Sequence, residues 1–176
     1  MSQRPALLVV DAQTFLIEHA FQGQELAERI QKVIERARDL QIPVIYIQHC
    51  EKEGEFAIGT PTWQIHPAFS PAEEETVIQK FACDSFLDTP LREVLESKEI
   101  NHLVICGLQT EYCIDTTSRR AISFGYGVTL VGDGHSTFDN SVLKAEQIIA
   151  HHNAVLNGFG TEQKQISVKN AESLFV

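Results

Sequence analysis

The sequence predicts an α/β fold, a three-layer α/β/α sandwich of Rossmann-like type around a central parallel sheet of about six strands. Three observations predict it. Short apolar runs alternate with longer amphipathic stretches along the whole chain. The runs are continuously apolar, as strands buried on both faces are. Several of them end directly in a polar or charged residue, where open α/β sheets carry their ligand sites.

ALLVV (6–10) is the first strand, closed by Asp11. QELAERIQKVIERARDL (24–40) places Leu26, Ile30, Val33, Ile34 and Ala37 on one stripe with charges opposite, the pattern of an amphipathic helix. Pro43 stops it, and PVIYIQ (43–48) is the second strand. TVIQ (76–79) is a short third strand. Thr89 and Pro90 read as an N-cap and a first helical position opening LREVLESK (91–98). HLVIC (102–106), GVTLV (127–131) and QISV (165–168) complete the strands, with helices expected over 111–124 and 139–155. Residues 49–75 break the rhythm. A connection this long inside a compact domain acts as a lid or binding loop more often than as a bare excursion. Its Phe56, Ile58, Trp63, Ile65 and Phe69 need something to cover.

Composition narrows the function classes. The length fits a single domain over residues 1–176. The net charge is −10, from 14 basic and 24 acidic residues. That disfavours nucleic acid and anionic membranes as partners, which require clustered Lys and Arg. The apolar run near the N-terminus is too short for a secretory core or a membrane span. The cysteines at 50, 83, 106 and 113 show neither a C-x-x-C pair nor zinc spacing, so reduced thiols in a cytoplasmic setting are expected.

The residues that follow the strands carry the chemistry. Asp11 follows the first, His49 the second, Lys80 the third, Gly107 and then Cys113 the fourth, and Asp133 and His135 the fifth. Taken singly, Asp11 reads equally as a turn cap, Lys80 as a solvated lysine and Cys113 as a packed thiol. Taken together they are a base, a cation and a nucleophile on one rim. A thiol with an ordinary pKa near ~8.5 must be activated near neutral pH. A helix N-terminus and Lys80 supply positive charge, and Asp11 can accept the proton. Because a carboxylate is a weak base for a thiol, the three groups should titrate as a unit. Backbone N–H groups in the 108–113 turn can hold an oxyanion. Thr110 is the expected N-cap of the helix that aims the thiol.

VVDAQ at the first strand, IQKFACDSF around Lys80, CGLQTEYCIDTTSRRA, and GYGVTLVGDGHSTFD together resemble the isochorismatase-like cysteine hydrolases, from the first strand to about residue 153. The resemblance implies a six-stranded parallel sheet and a catalytic triad of Asp11, Lys80 and Cys113. It also implies a cis peptide at Leu108–Gln109, with the N–H groups of Gln109 and Cys113 as the oxyanion hole. Members that cleave the vinyl ether of isochorismate lack the cysteine. Keeping it points to the amide-cleaving branch, and so to a small carboxamide, ureido or carbamoyl substrate. The nicotinamidase branch carries a metal site with Asp-x-His after the second strand. Here Ile47-Gln48-His49 stands instead, so no metal and no other cofactor are expected, although His49 and His66 remain. Family members form homo-oligomers, commonly dimers or tetramers.

Gln13, Phe15, Trp63, Thr110 and His135 are the candidate substrate-binding residues, with support of the catalytic groups the stronger reading for His135. Phe86 is expected to pack beside Lys80, and Cys50, Cys83 and Cys106 are read as structural. Two other functions share the scaffold: a vinyl-ether or ester hydrolase, and a non-catalytic redox-responsive thiol protein. The second wants a resolving cysteine, and none is close to Cys113 in sequence.

Overall fold

A computed structural model describes residues 2–175. Six strands form one parallel sheet: β1 (Pro5–Val10), β2 (Val44–His49), β3 (Thr76–Lys80), β4 (His102–Leu108), β5 (Gly127–Ser136) and β6 (Ile166–Lys169). Their spatial order is β3-β2-β1-β4-β5-β6. The chain thus winds outward in one direction from β1 to β3 and in the other from β4 to β6. The crevice between the carboxyl ends of β1 and β4 is the point of reversal, where doubly wound sheets place their ligands.

Successive residues of a strand face opposite sides of the sheet, and two separate cores result. Leu8, Ile45, Ile47, Leu103 and Ile105 face one side, with Leu91 and Leu95 of α3 (Leu91–Ser97) and Ile114, Ala121 and Ile122 near α4 (Asp115–Ser123). Leu7, Val9, Val44, Tyr46 and Val104 face the other, covered by α1 (Thr14–His19) and α2 (Gly23–Asp39). The stripe read for α2 is the buried one: Leu26, Ile30, Val33, Ile34 and Ala37 are all in the core. This double burial is why the strands lack apolar–polar alternation.

Several boundaries differ from expectation, each for a local reason. Helix α1 is short and carries no capping side chain, so its sequence gave little signal. Helix α5 runs Ala145–Leu156 and starts six residues later than the expected 139, because Asp139 accepts the Ala145 N–H and residues 139–144 form the turn before it. Thr89 is not the N-cap of α3: Pro90 holds that position, and the Thr89 hydroxyl accepts the Leu91 N–H at 3.3 Å from one residue further out. Strand β5 runs five residues past the expected end. A register shift opposite Ile105–Gly107 separates its regular part from the segment that pairs Gly107 with His135 and Leu108 with Ser136. Such an irregularity re-aims the side chains beyond it.

The long connection is stitched down at its second half, while residues 51–55 are exposed and Ile58, expected to be covered, is 56% exposed. Gln13 and Ile65 form an antiparallel bridge, Thr14 N–H donates to Gln64, Phe15 N–H to Thr62, and His66 N–H to Ala12. Among the described residues no helix is long and apolar enough to cross a membrane.

Candidate active site

The register brings the strand ends together. Val10 pairs with Ile47 of β2 and Gly107 of β4, and His49 pairs with Lys80 of β3. Asp11 leaves β1 in the left-handed region, at φ 48°. Lys80 reaches it from two strands away, a span that suits the long lysine stem. Its Nζ lies 2.7 Å from Asp11 Oδ2, 3.1 Å from Cys113 Sγ and 2.9 Å from the Ala82 carbonyl. Three ammonium protons therefore have three partners, and His49 Nδ1 sits farther off at 3.4 Å. Lys80 is fully buried and Asp11 is 1% exposed. The solvated-lysine reading is therefore excluded, and the three residues form one buried cluster.

The electrostatics follow from that burial. Desolvation opposes the charge on Lys80, but Asp11 and Cys113 outweigh it and hold the ammonium above its ordinary pKa. Burial pushes the Cys113 thiol up, the Asp11 charge adds to this, and Lys80 offsets only part. Lys80 is thus held in its charged form, and burial favours the neutral thiol of Cys113. Asp11 Oδ1 is buried without a hydrogen-bond partner, so an acceptor stands ready for a proton.

Cys113 rides on a wide π-helical turn, Thr110–Ile114, that leads into α4. Tyr112 and Ile114 both donate to the Gln109 carbonyl. The first N–H groups of such a turn have no preceding helical carbonyls to bond. The Leu108–Gln109 peptide before it is cis, as the resemblance implies. Gly107 allows the close approach that sets up this corner: its φ is +123°, and a Cβ there would lie 1.9 Å from the Val10 carbonyl oxygen.

A cavity of about 210 Å³ opens beside Cys113. Asp11 lies at its floor, His49, Glu51 and Gln109 are its other polar lining residues, and its walls are Leu16, Phe56, Cys83 and Tyr112. Apart from Asp11, Gln109 and Cys113, the predicted site residues stand outside this lining. Gln13 is fully buried and works as a latch, donating to the carbonyls of His49 and Trp63 and accepting the His49 N–H. Trp63 is packed: its indole N–H donates to Cys50 Sγ, and its carbonyl takes bonds from Gln13 and Gln48. Phe15 backs the cavity at one remove, edge-on to Phe56. Phe86 packs against Phe124 and Tyr126.

Thr110 is not the N-cap. Gln109 occupies that position, and the Thr110 hydroxyl lies 2.8 Å from His135 Nδ1. The other ring nitrogen, Nε2, lies 2.9 Å from Asn153 Oδ1, while Asn153 Nδ2 donates to the Gly132 carbonyl. Asn153 must therefore accept from Nε2–H, which leaves Nδ1 to accept from Thr110. A neutral histidine thus braces the turn that carries Cys113 from behind. Burial pushes its pKa down to about 4, and burial with help from Lys164 and Lys169 does the same to His102.

This brace predicts an acid weakness. The unfolded chain binds a proton near ~6.5, before the folded protein does. The stabilisation is therefore complete above that pH and is lost as pH falls toward about 4. For His135 alone the loss is up to about 3 kcal/mol. Denaturant midpoints measured from pH 7 to 4.5 should fall in wild type and fall less steeply in His135→Gln. Parallel slopes would mean that His135 is not the group responsible.

Sequence reasoning missed Glu51, Leu16, Phe56, Cys83 and Tyr112 as cavity residues. Only Tyr112, beside Cys113 on its turn, carried a usable signal. Cys83, read as structural, is half-buried at the cavity; Cys50 and Cys106 are fully buried. His66 caps the short 3-10 turn Pro67–Phe69, away from the cavity. Among the described residues no group of three His, Cys, Asp or Glu side chains converges as a metal site.

The isochorismatase domain model matches residues 5–161. The chain belongs to the isochorismatase family. An uncharacterized isochorismatase-family protein of Bacillus subtilis, YddQ, is 32% identical over 165 residues, covering 87% of this chain and 91% of that protein. A streptothricin hydrolase of Streptomyces noursei is 35% identical over 138 residues, covering 76% of this chain and 50% of that protein. The chain therefore spans about half the length of this curated relative. A ureidoacrylate amidohydrolase of Klebsiella pneumoniae is 32% identical over 90 residues, which is 50% of this chain and 38% of that protein. Among solved structures, an isochorismatase of Pseudomonas putida superposes with a TM-score of 0.89 at 28% identity, covering 98% of this chain and 92% of that one. The isochorismatase fold thus accounts for the overall architecture of the chain.

Proposed function

We propose that this isochorismatase-family protein is a cysteine hydrolase that cleaves the C–N bond of a small amide, ureido or carbamoyl compound through a thioester on Cys113. The single observation that carries the reading is the buried contact set of Lys80 Nζ, at 2.7 Å from Asp11 and 3.1 Å from Cys113 Sγ. Relatives named for streptothricin hydrolysis and ureidoacrylate amide hydrolysis support the choice of bond.

The steps follow from the geometry. The substrate carbonyl enters beside Cys113. The thiol passes its proton to Asp11 as sulfur attacks, so the free thiolate never has to form at rest. Lys80 keeps its charge and steadies the developing anion. The N–H groups of Gln109 and Cys113 receive the oxyanion. Asp11 then protonates the leaving nitrogen, and the amine departs. Water, deprotonated by Asp11, attacks the thioester; the C–S bond breaks, the acid leaves, and Asp11 returns the proton to the Cys113 sulfur. Every bond made or broken lies within reach of one carboxylate and one sulfur.

The redox-responsive reading gains one observation, the presence of Cys83 at the same cavity. It loses more, because oxidation proceeds through a thiolate and burial keeps Cys113 protonated. Trapping tests the proposal. Intact-mass spectra taken during turnover of a small carboxamide panel should show an acyl adduct that disappears in Cys113→Ser. Turnover by Cys113→Ser at the wild-type rate would overturn the covalent mechanism.

A further inference from the structure

We infer that the cavity selects a substrate carrying a positively charged group beside the scissile carbonyl, and that Glu51 receives that group. The inference deepens the hydrolase reading and rests on it for the word substrate; the charge preference itself stands on the cavity.

Two carboxylates, Asp11 and Glu51, line the cavity, and no lysine or arginine does. The cation nearest to it, Lys80, is fully buried and committed to Asp11, Cys113 and the Ala82 carbonyl. Asp11 is thereby neutralised as a charge, and Glu51 is the carboxylate left over. The Glu51 side chain is 51% exposed, and its contact is His49 Nε2 at 3.3 Å. Its backbone is held firmly, with its N–H on the Phe56 carbonyl and a bridge to Ala57. The backbone therefore holds Glu51 at the rim, with its half-exposed carboxylate beside His49.

The remaining surfaces agree. Phe56 and Tyr112 flank the same space, and aromatic faces attract a cation as well as apolar groups. Asp11 Oδ1, buried at the floor with no partner, calls for a hydrogen-bond donor. An anionic substrate would meet a carboxylate at the rim and find no cation to bind it. A net charge of −10 repels such a substrate from a distance as well.

Two probes test this. The first reads the field without requiring hydrolysis. Cys113 is modified with 2-aminoethyl methanethiosulfonate, a cation, and with 2-sulfonatoethyl methanethiosulfonate, an anion. In each case the sulfur forms a mixed disulfide and methanesulfinate leaves. Adducts are assigned by peptide mass, which separates Cys113 from Cys83. After dividing by the ratio for free cysteine, the cation should react about tenfold faster at low salt, as expected of a half-exposed carboxylate. Glu51→Gln should bring the ratio near one, and Glu51→Lys should invert it. A ratio of one in wild type, or a ratio unmoved in Glu51→Gln, overturns the inference.

The second probe is hydrolysis of three amides of equal length: 4-aminobutanamide, pentanamide and 4-carbamoylbutanoate. The order of kcat/KM should be cationic, neutral, anionic. Hydrolysis with no charge order overturns the inference and leaves the hydrolase reading standing. A charge-dependent modification ratio with no amide turned over supports the cationic site and counts against the hydrolase reading.

Discussion

Replacing Lys80 with methionine is expected to lower stability by about 3–5 kcal/mol and to abolish turnover. Methionine fills the volume of the lysine stem but leaves Asp11 charged, 1% exposed and without its counter-ion. Breaking one side of a buried ion pair costs more than never having made it. Adding Asp11→Asn to Lys80→Met should therefore recover most of the lost stability, because an amide needs no cation. Asparagine also tolerates the left-handed backbone at this position, φ 48°. The doubly substituted protein should stay inactive, having lost both base and cation. Denaturant midpoints for the wild type, the two single variants and the double variant give the coupling directly, and it should exceed about 2 kcal/mol. A Lys80→Met cost below about 1 kcal/mol would mean that the pair is hydrated in solution and that the buried cluster is wrong.

Cys113→Ala is expected to lower kcat by about 10⁴-fold or more, with little change in KM. The sulfur forms and breaks the bond, but the cavity walls that hold substrate are Leu16, Phe56 and Tyr112. Stability should move by no more than about 1 kcal/mol, since the thiol is small and its contact with Lys80 is one of three. Steady-state kinetics on any amide that forms the trapped adduct decides the matter. Retention of a tenth of wild-type turnover would remove Cys113 as nucleophile.

The sheet and the clustering of Asp11, Lys80 and Cys113 were legible for the same reason. Strands buried on both faces announce themselves as unbroken apolar runs, and the residue after each run falls at the carboxyl edge where the site lies. Asp11, Lys80 and Cys113 could be read together once the strands were placed. The substrate-side residues could not. Gln13 and Trp63 look like pocket residues in sequence, yet their bonds go to loop backbone and to Cys50. Nothing in a hydrophobic pattern reports where a backbone carbonyl points. Thr110 misled for a related reason: its residue type suits a cap, but the turn is a wide one and its hydroxyl faces His135. Glu51 and Phe56 sit in an irregular loop, where no period aims a side chain.

The position of β3 has a further consequence. It is an outermost strand, bonded to β2 alone. Just before it, Glu75 is gripped by Arg38 through contacts of 2.7 and 2.8 Å; at its far end, Lys80 is gripped by Asp11 at 2.7 Å. One clasp is wet and the other dry. The Cys113 sulfur thus takes its lysine contact from the outermost strand of the sheet, whose Ile78 belongs to one of the two hydrophobic layers. The lysine contact is only as durable as the least-paired strand of the sheet.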